Sequence, residues 1–372
     1  MQQLRSLKLN TLALVILFAF IGTGKAIAQE QHNHAEADDQ HVEAHHQEEG
    51  FNARDMIMHH IKDAHEWHFF DIPQEDGTSK PVSLPLPVIL AHNGQVDIFM
   101  SSAFHHGEES VTKGDNTYML HHGKIYATNE AGDLQFDEQH HPTNEKPLDL
   151  SITKNVAAMF LSIILLLAMF GSAAKSYKKT GGVPRGLAGF LEPLVLFVRD
   201  EIAKPNIQGE QYKKFVPFLL TVFFFIWINN LLGLIPVLAP NLTGNIAVTM
   251  VLALLTFFIT QFSAKKPHWK HVFLPPVPWW LYPIMIPVEV IGLFTKPFAL
   301  MIRLFANITA GHILILSLVS LIFIFESVAM SALSIPFMVF MNTLELLVAV
   351  LQAYIFTLLS ALFIGMATEE HH

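Results

Sequence analysis

Between residues 286 and 366 the chain is almost wholly apolar, yet one stretch holds Lys296, Arg303, Asn307 and His312, with Glu289 near its start, and the next holds Asn342, Glu345 and Gln352. An ionisable group at the centre of a membrane helix costs roughly 2.5 to 3.5 kcal/mol even on a mild scale, so such groups mark ion paths by default. Arg303 is the sharpest case. It sits near mid-segment, keeps its charge at every accessible pH and is too deep to snorkel. Lys296 and Glu326 lie towards segment ends, where packing or snorkelling accounts for them. His312 and Glu345 are different in kind: imidazole and carboxyl groups both titrate, and burial beside a partner moves either towards neutrality, so together they can pass a proton.

Helical geometry orders these groups. At about 100° per residue, Asn307 falls about 40° from Arg303, whereas His312 falls about 180° away and about 13.5 Å further along the axis. Glu345 and Gln352 share one face, about 10 Å apart in depth. If the two stretches form an antiparallel hairpin, Arg303 meets Gln352 at mid-depth and His312 meets Glu345 nearer the outer surface. Glu289 lies about 21 Å to the inner side of Arg303 along a straight helix and is expected to line a separate inner path, with the arginine as the barrier between the two.

The elements that must hold these groups are membrane helices. The chain has 372 residues, 51% hydrophobic and only 15% charged. Apolar stretches at 152–174, 215–238, 245–263, 286–324 and 333–366 predict five membrane-crossing segments. The last two exceed the roughly 20 residues a bilayer needs and must tilt or bend. The expected fold is an all-α polytopic membrane protein whose last two segments form a long tilted hairpin, preceded by a small α+β or partly disordered extension. Lys175, Lys178, Lys179 and Arg185 follow the first span, and Lys265, Lys266 and Lys270 follow the third, while the intervening turns lack Lys and Arg. The positive-inside rule then puts the carboxyl terminus inside. Residues 187–204 read as an interfacial helix on the inner face.

Charge divides the chain into unlike parts: residues 1–28 carry +3, residues 29–150 carry −17 and residues 151–372 carry +5. Arg5 and Lys8 before the apolar run Leu12–Ile21, then Ala26-Ile27-Ala28, predict a signal peptide over 1–28, and hence a mature amino terminus outside the inner membrane. Gly22-Thr23-Gly24-Lys25 lacks the rest of a phosphate loop. Residues 29–50, rich in His, Glu, Asp and Gln, cannot bury enough surface to order themselves. Residues 51–147 are expected to form a periplasmic module, with helical character over 55–70, strands at 88–90, 95–100 and 118–127, and turns at His92-Asn93-Gly94 and His122-Gly123. His59, His60, His65 and His68 raise metal capture, although a solvated pH-sensitive surface is the reading favoured. The absence of cysteine removes disulfides and thiolate sites. The acidic soluble part argues against nucleic acid.

The run Arg303-Leu304-Phe305-Ala306-Asn307-Ile308-Thr309-Ala310-Gly311-His312 follows Lys296-Pro297 and precedes Leu351-Gln352-Ala353-Tyr354-Ile355-Phe356 and Met366-Ala367-Thr368-Glu369-Glu370-His371. With Asn229-Asn230-Leu231-Leu232-Gly233-Leu234-Ile235-Pro236, it resembles subunit a of the F-type ATP synthase membrane sector over about residues 150–372. The resemblance implies that Arg303 is the essential charge facing the carboxylate of a rotating c-subunit ring, and that Asn307, His312, Glu345 and Gln352 belong to an outer half-channel and Glu289 to an inner one. Many members hold an acid at the position of His312 and a histidine at that of Glu345; here the pair is swapped. Ala306 stands where glycine is frequent. The implied partners are the c-subunit ring, b-type peripheral stalk subunits, membrane lipid and, indirectly, the ATP-hydrolysing head. No cofactor is implied, and a proton-conducting rather than catalytic role follows. Two other readings were open on the residues alone: a secondary cation or proton exchanger, disfavoured by the lack of an internal repeat, and a metal-binding module on a membrane tether.

Overall fold

The computed structural model describes residues 57, 62–73, 79–129, 132–137, 141–179, 181–235, 240–325 and 327–369. The expected signal peptide, the 29–50 tract, His59, His60 and Glu326 lie outside them. The chain divides into two compact units, one of Met58–Leu161 with Ile235–Leu242, the other containing Ser162–Leu234 and Thr243–His372.

In the first unit the strands pair antiparallel. Strand β1 (Glu66–Pro73) pairs with β2 (Ser79–Pro85), β3 (Pro87–His92) with β4 (Gln95–Met100), and β6 (Asn116–His121) with both β5 (Val111–Lys113) and β7 (Lys124–Thr128). The short β8 (Leu148–Asp149) adds to β3. Three hairpins turn on two residues, and two of these turns are those expected from sequence: Asn93-Gly94 and His122-Gly123 have positive φ at both central residues, the conformation that matches strand twist. Val88, Leu90, Phe99, Phe104, Val111, Tyr118 and Ile125 form the core. The Tyr118 hydroxyl donates to Asp97 Oδ2 at 2.7 Å, and burial followed by that carboxylate pushes the phenol pKa well up.

The helical expectation for 55–70 fails from Lys62 onwards, where bend and coil lead into a strand at Glu66. Glu-Trp-His-Phe-Phe-Asp-Ile-Pro is strand β1, because its aromatic and β-branched side chains suit a pleated surface and its register with β2 supplies the backbone partners. Among the described residues the module is therefore strands and one 3-10 turn (Ser101–Gly107), with helical backbone only at Ile57. The module leads directly into the first membrane helix, α1 (Lys154–Lys179). Asp63 Oδ1 accepts from the Asn155 N–H at 3.0 Å and Ala64 O from the Lys154 N–H at 2.8 Å, so the strand side satisfies the helix's first donors. His65 Nε2 lies 2.6 Å from Asp149 Oδ2. Burial raises the Asp149 pKa, but the His65 and Ser151 bonds outweigh it and hold the carboxyl well below its ordinary range.

The second unit is helical. After α1 come α2 (Leu187–Phe197), which widens into a π turn over Val198–Ala203, then α3 (Tyr212–Gly233), α4 (Ile246–Ser263), the short α5 (Lys266–Phe273), α6 (Tyr282–Phe325) and α7 (Val328–Thr368). Five of these are long and apolar enough to cross a membrane: α1, α3, α4, α6 and α7, two with a short leading turn. Their bounds follow the five apolar stretches of the sequence. Asn245 caps α4, its side chain accepting from the Ala247 N–H at 2.9 Å. The 187–204 segment is helical as expected, and its buried Val198, Ile202 and Ala203 pack against α3 and α7. A Cβ at Gly365 of α7 would collide with the Asn206 carbonyl that follows this turn. Helix α7 packs against α6 on one side and α3 on another, with α4 against both α6 and α7. Hydroxyls within the apolar helices are absorbed by the backbone one turn back, as Thr357 and Ser360 donate to Ala353 and Phe356 carbonyls at 2.7 Å.

The 44 residues of α6 run about 66 Å if straight, twice a hydrocarbon core of about 30 Å. Crossing as one helix requires a tilt of about 60° unless it bends, and Pro287 and Pro297 lie within it. The 41 residues of α7, with Pro336 inside, face the same constraint. A steeply inclined pair would keep several turns near mid-membrane depth.

Candidate functional site

Two polar contacts join α6 to α7. His312 Nδ1 lies 2.8 Å from Glu345 Oε1, with the two side chains 15% and 7% exposed. Asn307 Nδ2 donates to Gln352 Oε1 at 2.8 Å, and Gln352 is buried. The His312–Glu345 level is as expected from the hairpin. The Arg303–Gln352 level is not: Gln352 takes its hydrogen bond from Asn307, one turn further along α6 than Arg303. Between the two contacts α6 recedes by five residues while α7 advances by seven.

Arg303 therefore faces elsewhere. It is exposed, and among the described residues it makes no hydrogen bond or ion pair. It lines an open recess of about 480 Å³ with Lys296, Leu300, Leu359 and Phe363 that extends along α6 to Val288. Lys296 Nζ stands 5.7 Å from the centroid of the Phe363 ring, a cation–π contact within the chain. Glu289 is partly buried at the far end of the same helix, and its Oε2 lies 3.9 Å from His271 Nδ1 on α5. Asn342 is exposed on α7.

Three groups to which the sequence analysis gave no role of their own shape this arrangement. Gly311 is the residue against which Glu345 rests: a Cβ there would stand 2.6 Å from Glu345 Oε1. Asn230, at the end of α3, donates through Nδ2 to the Ala349 carbonyl at 3.3 Å and accepts from the Thr243 hydroxyl at 2.7 Å. It thus fixes α7 one turn beyond Glu345. His271 approaches Glu289 only because residues 274–281 turn the chain back, which no helical period reveals.

His312 Nε2 is enclosed and has no hydrogen-bond partner among the described residues. With Nδ1 at the carboxylate, the ring is held in one orientation and its second nitrogen is left without a fixed partner. Among the described residues no three His, Cys, Asp or Glu side chains gather as metal ligands. Of the amino-terminal histidines proposed as ligands, His65 is engaged by Asp149.

The family model described as ATP synthase A chain matches residues 156–365, more than half of the chain. The chain belongs to that family. It is 53% identical over 243 residues to ATP synthase subunit a 2 of Chlorobaculum tepidum, covering 63% of this chain and 68% of that one. It is 52% identical over 234 residues to ATP synthase subunit a of Myxococcus xanthus, covering 60% and 75%. Against ATP synthase subunit a 2 of Prosthecochloris aestuarii the identity is 44% over 310 residues, covering 78% and 94%. Residues 56–150 match a separate domain of unknown function. Arg303, Asn307, His312, Glu345, Gln352 and Glu289 all fall inside the ATP synthase A chain match, so the polar helices are those of a multi-pass ATP synthase membrane subunit.

Proposed function

We propose that the chain is the stationary ion-conducting subunit of an F-type ATP synthase, offering two offset half-channels to a rotating c-subunit ring. Protons enter from the outer side through His312 and Glu345, reach the ring past Asn307 and Gln352, and leave through an inner path that includes Glu289. Arg303 separates the two. Because its guanidinium does not release a proton at any accessible pH, it blocks direct leakage and favours an ionised ring carboxylate opposite it. The observation that carries this reading is the exposure of Arg303 at mid-helix with no counter-charge among the described residues. At 4 Å and an effective dielectric constant of about 20, a carboxylate partner contributes about 4 kcal/mol, comparable to the cost of holding arginine in the membrane. Each proton passing inwards adds about 2.3 kcal/mol per 100 mV of membrane potential, which rotation delivers to the catalytic head.

The same reading makes residues 1–28 a removed signal, residues 29–50 an unstructured tract and residues 51–147 a periplasmic module on the inner membrane of a bacterium, with the mature amino terminus outside and the carboxyl terminus inside. The lysines after the first and third spans support that orientation. Stalk subunits of the b type and the c-ring are the protein partners, and the chain itself performs no ATP chemistry. The test is ATP-driven acidification of inverted membrane vesicles carrying the natural chain or Arg303→Ala at equal complex content. Loss of pumping with the complex assembled is expected; undiminished pumping removes Arg303 from the ion path.

A further inference from the structure

Helix α5 brings two imidazoles to the foot of α6. His268 and His271, three residues apart, share one side of the helix, and His271 Nδ1 stands 3.9 Å from Glu289 Oε2. That separation is too long for a direct hydrogen bond and suits one bridging water. The pair forms a gradient of wetness, with the His271 side chain 56% exposed and Glu289 30%. Beyond Glu289 the recess begins at Val288 and runs to Arg303. His268 Nε2 is enclosed without a hydrogen-bond partner among the described residues. Burial, then the charges of Lys296 and His271, hold its pKa below the ordinary imidazole value, with Glu289 opposing them. Trp269, Trp279 and Trp280 are exposed around α5, the aromatic signature of a helix at a membrane–water boundary. Lys265, which leads into α5, donates its N–H to the Ala367 carbonyl at 2.9 Å, so α5 is anchored to the end of α7.

We propose that His271, with His268 behind it, relays protons between the aqueous phase and Glu289 at the mouth of the inner path. Only protons move: protonated Glu289 gives its proton through the intervening water to a neutral imidazole, and the imidazolium passes a proton to bulk water; ATP-driven pumping runs the steps backwards. This rests on the inner-path role given to Glu289 above. An exposed imidazole within one water's reach of a half-buried carboxyl adds a second proton donor and acceptor between that carboxyl and the aqueous phase.

The test uses the whole complex in inverted vesicles, whose external face is the inner side, in weak external buffer near pH 7.5. His271→Ala is expected to slow ATP-driven acidification about tenfold, less than the hundredfold or more of a general acid–base group in chemistry, because Glu289 is itself partly exposed. A membrane-impermeant zwitterionic sulfonate buffer at high external concentration should restore the rate by carrying protons in place of the imidazole. His268→Gln with His271→Gln should be slower still and equally restored. An unchanged rate for His271→Ala in weak buffer, or a loss that mobile buffer does not repair, overturns the relay. Glu289→Gln separates the two ideas: if it pumps normally, the inner-path reading itself fails, whereas slow Glu289→Gln beside normal His271→Ala defeats the relay alone.

Discussion

Gly311→Ala pits helix stability against proton flow. A Cβ at this position would lie 2.6 Å from Glu345 Oε1, 3.1 Å from its Cδ and 3.4 Å from its Cγ. Non-bonded atoms settle near 3.5 Å or beyond, so the carboxylate must withdraw by about an ångström or the helices must part. Either response takes the 2.8 Å contact with His312 out of hydrogen-bond range. A hydrogen bond to a charged group is worth about 1.5 to 3 kcal/mol, and each 1.36 kcal/mol is about tenfold in rate. If the pair lies on the outer path, proton flow should fall roughly 10- to 150-fold. Helix propensity acts in the opposite direction, since alanine is about 1 kcal/mol better than glycine in a helix interior. The variant should therefore assemble as well as the natural complex while conducting poorly. Acidification of inverted vesicles, normalised to complex content, reads the rate, and thermal dissociation of the detergent-solubilised complex reads the stability. Gly171→Ala in α1, where no described atom lies within 4 Å of the added Cβ, is the control and should pump normally. Natural rates in Gly311→Ala at equal content would refute the claim that the His312–Glu345 contact has to be this close.

Three further outcomes follow from the same geometry. The exchange His312→Glu with Glu345→His should pump at least several-fold faster than either single change, because a lone substitution leaves a buried group without its proton partner; vesicles from the three strains decide it, and a double variant no better than the singles would break the pairing argument. Asn230→Leu loses the bonds to Thr243 and Ala349 and leaves both buried, so it should destabilise the assembled subunit by about 1 to 3 kcal/mol, seen as a lower dissociation temperature. In the strand module, Asp149 has its folded pKa depressed, so its contribution is present above the unfolded value of about 3.9 and is lost as pH falls through the folded one. Asp149→Asn should thus weaken the module at neutral pH and flatten its acid sensitivity, which hydrogen exchange across residues 87–128 in the intact chain measures.

The five spans were legible because hydrocarbon thickness dictates the length of an apolar run, and the His312–Glu345 level was legible because a hairpin turn fixes its first contacts. Equal advance of seven residues from the His312–Glu345 contact puts Gln352 opposite position 305, midway between Arg303 and Asn307, so a sum rule for facing positions does not choose between them, and the bond goes to Asn307. The approach of His271 to Glu289 depends on the turn at 274–281 and leaves no periodic trace. Gly311 carried a signal, a small residue beside a candidate proton carrier, but its meaning depends on which α7 side chain comes close. In the module, Asn93-Gly94 and His122-Gly123 announced their hairpins, while β1 escaped because its aromatic run has no strict alternation and its partner strand β2 contains Pro81 and Pro85.

The chain treats its two kinds of polar group differently, and their chemistry explains the difference. His312 and Glu345 can share a proton and become jointly neutral, so enclosing them between α6 and α7 carries a small penalty once their hydrogen bond forms. Arg303 has no neutral form to adopt. Burying it inside this subunit would demand a fixed internal carboxylate, and such a pair would hold the guanidinium permanently and leave nothing for a second chain to displace. Leaving it exposed above an apolar recess shifts the demand for a counter-charge to whatever packs on that face. A partner that presents its carboxylates in succession satisfies the arginine with each in turn, and the subunit never has to break a bond of its own. On this reasoning Arg303→Lys should fail almost as badly as Arg303→Ala in the vesicle assay, since an ammonium covered by an apolar partner gives up its proton where a guanidinium does not; near-natural pumping by the lysine variant would show that charge alone, without the refusal to titrate, is what the site requires.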